Sequence, residues 1–167
     1  AESNEKSGIK IHNSTGSFIK DNTAVDNTGS GVVVSSSKND LLINNTAKNT
    51  DDSSVVYGFE IIKSKNTSVK ENVATSNALG GILVSGGSSN QINANDVTGN
   101  GETGIRLSDT SFNKVTGNDA RYNEHSGISI SSSRGNQVNE NQVSDIIDGT
   151  GVVLTNSQSN TISKNQA

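Results

Sequence analysis

Apolar and polar positions in this chain fall into columns that recur about every 23 residues. Counted from Gly8, Gly31, Gly58, Gly81, Gly104, Gly127 and Gly151, the next residue is apolar each time: Ile9, Val32, Phe59, Ile82, Ile105, Ile128 and Val152. The third residue on is apolar as well: Ile11, Val34, Ile61, Val84, Leu107, Ile130 and Leu154. Runs such as Gly104-Ile105-Arg106-Leu107 alternate with period two, which predicts a short strand with one buried face. A further apolar column stands eleven residues past each glycine, from Ile19 and Leu42 to Val138 and Ile162. A small one, Ala24, Ala47, Ala74, Val97, Ala120, Val143 and Ala167, stands sixteen past. No ten-residue window carries helical spacing.

Three inward segments per unit and a unit repeated seven times predict an all-β fold, a right-handed, single-stranded parallel β-helix. About seven rungs of ~23 residues, three short strands in each, would stack about 4.8 Å apart. Fourteen residues past each glycine stands asparagine without exception: Asn22, Asn45, Asn72, Asn95, Asn118, Asn141 and Asn165. These residues are expected at left-handed turns between strands, their amides hydrogen-bonded along the axis, as scaffold. Asn27, Asn77, Asn100 and Asn123 form a second polar column.

Composition changes the picture in a few respects. Only 29% of residues are hydrophobic and 3% aromatic, which suits a thin stacked core. Proline is absent, as central strands of a parallel sheet require. With no cysteine, the fold uses neither disulfides nor thiolate metal sites. A net charge of −4 argues against nucleic acid as partner, and no apolar run is long enough for a membrane span. Residues 1–167 read as a single domain. Both chain ends fall in mid-rung without a cap, so the chain is expected to be an excerpt of a longer solenoid, or to self-associate end to end.

One rung departs from the register. Between Asn45 and Gly58 it carries four extra residues around Thr50-Asp51-Asp52-Ser53-Ser54, and insertions in solenoids project on one face. The strand that follows reads Tyr57-Gly58-Phe59-Glu60-Ile61-Ile62. Here the chain resembles the catalytic A-module of the alginate (mannuronan) C5-epimerases, within the pectate-lyase-like carbohydrate-active β-helices. That family carries Tyr-Gly-Phe-Asp-Pro-His in such a strand, and Lys70-Glu71-Asn72-Val73-Ala74-Thr75-Ser76-Asn77 is similar to a phrase that follows it. The resemblance implies that Tyr57 is the acid or base at C5 of a uronate and that Glu60 takes the place of Asp. Ile61 replaces the proline, and Ile62 stands where the family has its His.

Lys10, Glu60 and Arg106 share one outward column, and His12 shares the column of Ile62 two rungs away. Lys10, His12 and Arg106, with Asp51 and Asp52 of the loop, are therefore the candidate contacts to an acidic polysaccharide. Asp51 or Asp52 paired with Glu60 would be the carboxylates of a glycosidase. No cofactor is called for, and Asp51-Asp52 lacks the glycine-rich pattern of calcium-binding rolls. Three classes stay open. The chain is a noncatalytic or catalytically incomplete β-helix module, acting as shaft or carbohydrate-binding surface; an active uronan epimerase or lyase centred on Tyr57 and Glu60; or a self-associating structural or engineered solenoid. In each case an extracellular, cell-surface or virion-surface location is expected.

Overall fold

A computed structural model describes residues 1–49 and 56–167. The chain coils as a parallel β-helix. One sheet stacks the strands Ile9–His12, Val32–Ser35, Tyr57–Ile62, Gly80–Ser85, Thr103–Ser108, Ser126–Ser131 and Thr150–Thr155. A second stacks Phe18–Lys20, Leu41–Ile43, Ser68–Lys70, Gln91–Asn93, Lys114–Thr116, Gln137–Asn139 and Thr161–Ser163. Every pairing is parallel and in the register of the glycines, so that Ile82 lies over Phe59 and under Ile105, and Ile105 under Ile128. The four apolar columns converge on one axial core, in which Ile82, Ile105, Ile128, Leu42, Val69 and Ile92 are fully buried. Burying each such side chain contributes roughly 1.5–3 kcal/mol. In the last rung the inward Leu154 and Ile162 are partly exposed, as are Ile9 and Ile11 in the first.

The third strand is less complete than the pattern predicts. Thr23–Val25, Thr46–Lys48 and Val73–Thr75 form a three-stranded sheet, and from Asp96 onward that column continues only as single bridges through Asp119, Gln142 and Gln166. At the rung where the sheet stops, the residue before the small inward column changes. Where Thr or Val stands in the first three rungs, the next two carry Asp96 and Asp119, whose carboxylates accept hydrogen bonds from the backbone N–H two residues on, at Thr98 and Arg121. An aspartate that binds its own backbone this way favours a turn over a strand.

The asparagine columns are stacked and buried, but they are not the left-handed residues. Positive φ falls one residue earlier, at Asp21, Asn44, Glu71, Ala94, Gly117, Glu140 and Lys164. The ladder asparagines serve by hydrogen bonding instead. Both the backbone N–H and the side-chain amide of Asn95 donate to Oδ1 of Asn118, each at 2.9 Å, and Asn118 does the same to Asn141. The Asn95 amide also donates to the carbonyl of Val69 at 3.0 Å. Asn4 to Asn27 and Asn77 to Asn100 to Asn123 repeat the arrangement. A third ladder, Asn90, Asn113, Asn136 and Asn160, runs nine residues past the glycines. It escapes the sequence pattern because its first members are Ser17, Asp40 and Thr67.

Candidate functional site

The outward face of the first sheet brings part of the predicted constellation together. Backbone register places Lys10, Val33, Glu60, Leu83, Arg106, Ser129 and Val153 in one column, one residue per rung. Tyr57 begins its strand, and its ring lies along the axis over Gly80 of the next rung. A Cβ on Gly80 would stand 2.8 Å from Tyr57 Cε1 and 2.3 Å from the Thr103 carbonyl. Only a glycine leaves the ring that space. Tyr57 is consequently 5% exposed, more enclosed than its place just after the inserted residues suggests.

Arg106, two rungs beyond, reaches the phenol. Burial pushes the Tyr57 hydroxyl above its ordinary value near 10; hydrogen bonding and positive charge from Arg106 oppose that, while the carboxylates of Glu102 and Glu60 add to it. The hydroxyl is therefore protonated at neutral pH. On the other side, the Tyr57 backbone N–H donates to Ser30 Oγ at 3.2 Å, and that hydroxyl donates to Glu60 Oε1 at 2.6 Å. Buried Ser30 thus fixes both the start of the strand and the direction of the Glu60 carboxylate. Glu102, Ser30 and Gly80 were not read as site residues from sequence. Gly80, where five other rungs carry Ser or Thr, was the available signal.

The remaining candidates are not gathered there. Lys10 and His12 lie in the first rung, two rungs or on the order of 10 Å from Tyr57. His12 Nδ1 is 3.0 Å from Ser35 Oγ, and the register His12, Ser35, Ile62 places no histidine beside Tyr57. Asp51 and Asp52 lie outside the described residues. What the face holds is a protonated phenol, a guanidinium beside it and a carboxylate pointing away, around the apolar Leu83. Such a surface offers one proton donor and one cation for a bound carboxylate.

Comparison with known proteins identifies the fold. Residues 55–167 match the family described as a right handed beta helix region, and the chain belongs to that family. Comparison with curated proteins returned no match. Among solved structures, the chain is similar to the periplasmic alginate epimerase AlgG, with a TM-score of 0.77 and 17% identity over 96% of this chain and 47% of that one. It is also similar to the A-module of the Azotobacter vinelandii mannuronan C-5 epimerase AlgE4, with a TM-score of 0.75 and 18% identity over 91% and 55% of the two chains. The AlgE6 A-module of the same organism matches with a TM-score of 0.70 and 16% identity, over 99% and 56%. This chain spans about half the length of these neighbours. At such identity the likeness is one of fold.

Proposed function

We propose that the chain is a polysaccharide-engaging β-helix module that presents the Tyr57–Arg106 face to an acidic glycan without completing a catalytic site. One observation carries the reading: the column that would supply a second proton-transfer group beside Tyr57 holds Ile62, and its histidine, His12, stands two rungs away. C5 epimerisation removes a proton from one face of the sugar and returns one to the other, and each positioned acid or base is worth about 10²–10⁴ in rate. With Tyr57 protonated and Glu60 turned to Ser30, neither is poised as a base. Arg106 is exposed, and no ion pair engages it among the described residues, so it has donors to spare beyond the phenol for a carboxylate. An extracellular or surface location accords with a polymeric ligand and with the periplasmic setting of the AlgG neighbour.

The experiment is to incubate the protein with polymannuronate in D₂O, following C5 proton exchange by NMR and unsaturated product by absorbance, while binding is measured by calorimetry. Binding without exchange or elimination is expected, and weakening by Arg106→Gln locates it. Exchange that disappears in Tyr57→Phe replaces this reading with that of an active epimerase or lyase.

A further inference from the structure

A second surface, remote from Tyr57, runs along the edge where the first sheet turns into the second. Its spine is a straight ladder of single bridges: Thr15, Lys38, Lys65, Ser88, Ser111, Arg134 and Gln158. Two shallow grooves open along it. One, of about 330 Å³, is lined by Lys38, Lys63 and Lys65 among serine, threonine and asparagine side chains. The other, of about 390 Å³, is lined by Asp109, Ser111, Ser132 and Arg134. Between them lies a rung reduced to Gly86-Gly87-Ser88-Ser89, which keeps the floor low.

Three features set this edge apart. The chain as a whole carries −4, yet Lys38, Lys63, Lys65 and Arg134 face a single carboxylate here, Asp109, whose Oδ2 accepts from Ser108. No ion pair engages these four cations among the described residues, whereas Lys20 and Lys70 on the second sheet are paired with Asp21 and Glu71. Lys38 and Lys65 are bridge partners one rung apart, a like-charge contact that an anion would relieve. Secondly, Lys63 and Phe112 sit at left-handed positions, with φ of 49° and 56°. Neighbouring rungs fill the same columns with Gly86 and Gly135, so both side chains are carried where glycine fits with less strain. Thirdly, Phe112 is 59% exposed and sets one edge of its ring over Gly135, where a Cβ would come within 2.7 Å of it, and the Arg134 guanidinium stands 5.9 Å from the ring centre. An exposed ring held in place on both Gly135 and Arg134 is a platform for the apolar face of a sugar.

We infer that this edge is a second, noncatalytic binding groove for an extended acidic polysaccharide, with Lys38, Lys63 and Lys65 holding its carboxylates and Phe112 stacking against a sugar ring. From Lys38 to Arg134 the groove crosses four rung intervals, about 19 Å, enough for several sugar units laid along the axis. The ligand class rests on the proposed function, but the residues do not.

The test is affinity electrophoresis and calorimetry with polymannuronate, with dextran as neutral control and polyglutamate as a polyanion without sugar rings. Relative to the parent, K38Q/K63Q/K65Q weakens polymannuronate binding about tenfold, as three exposed ion contacts of this size should, and F112G weakens it about fivefold. Both positions tolerate the change: K63G and F112G introduce the residue that neighbouring rungs carry there, so their melting temperatures stay at or above the parent's. Y57F leaves the contribution of this edge intact. The inference is overturned if the triple lysine variant binds as the parent does, or if dextran binds equally well. It is also overturned if polyglutamate binds equally and F112G has no effect, which would make the edge an unspecific basic strip. Loss in R106Q with no change in the lysine variant would leave the Tyr57 face standing and remove this one.

Discussion

At Asp40 and Thr67 the third ladder is broken by two side chains that cannot complete it. Asp40 Oδ1 accepts from the Ser17 N–H at 2.8 Å, but its Oδ2 and the Thr67 Oγ1 are buried without partners. In intact rungs the corresponding amide nitrogen donates inward, as Asn90 does to the Ser64 carbonyl at 3.1 Å. Asp40→Asn supplies that donor, aimed at the carbonyl of Ser14, and is expected to stabilise the protein by about 1 kcal/mol, read as a higher denaturant midpoint with unchanged slope. A different pH effect belongs to Tyr57. Its folded hydroxyl titrates above the unfolded value near 10, so the folded state holds the proton more tightly. Its contribution to stability is whole below pH 10 and is lost as pH rises through the folded value. Alkaline unfolding curves of Tyr57→Phe should therefore fall less steeply above pH 10 than those of the parent.

Asn118 accepts two hydrogen bonds from Asn95 and donates to Asn141 and to the carbonyls of Ile92 and Thr116. Asn118→Leu strands the buried Asn95 N–H and is expected to cost about 3 kcal/mol, well beyond what its added apolar surface returns; chemical denaturation measures it. Gly80→Ala places a Cβ against both the Tyr57 ring and the Thr103 carbonyl. Because a backbone atom must move, a loss of at least about 2 kcal/mol is expected, together with a changed near-ultraviolet signal from the displaced tyrosine.

These elements also show why some features were legible in the sequence and others not. The inward columns from Ile9 to Leu154 could be read because one residue type per position suffices to bury them. The asparagine column could be read because it has no exception, although its backbone role was misplaced by one residue. The incomplete third sheet depends on whether Asp96 and Asp119 turn back on their own backbone, a competition between local and cross-rung hydrogen bonds that column counting does not resolve. Tyr57 could be singled out as an unusual aromatic. Its burial could not, since that is decided by Gly80 and Arg106, 23 and 49 residues away in sequence.

Over the whole molecule, strand pairing joins each rung only to the rungs beside it, so stability accumulates mainly by nearest-neighbour contacts. A charge in the axial core interrupts that sum. Ile105→Asp puts an unpaired carboxylate between Ile82 and Ile128, where it is expected to cost more than about 4 kcal/mol. Loss of the cooperative thermal transition seen by circular dichroism checks this. The two surfaces proposed for binding, the Tyr57 face and the lysine edge, both run parallel to this axis, and both derive their regular spacing from the same stacking.

The three asparagine ladders share one further property. In every step the donor belongs to the earlier rung and the acceptor to the later one, from Asn4 to Asn27, from Asn22 through to Asn165, and from Asn90 through to Asn160. The amide dipoles therefore add instead of cancelling, and the coil has a sense, like an arrow. Each turn offers oxygens to the turn before it and protons to the turn after it. Anything that prolongs the coil, whether further turns of chain or a second molecule, has to arrive pointing the same way.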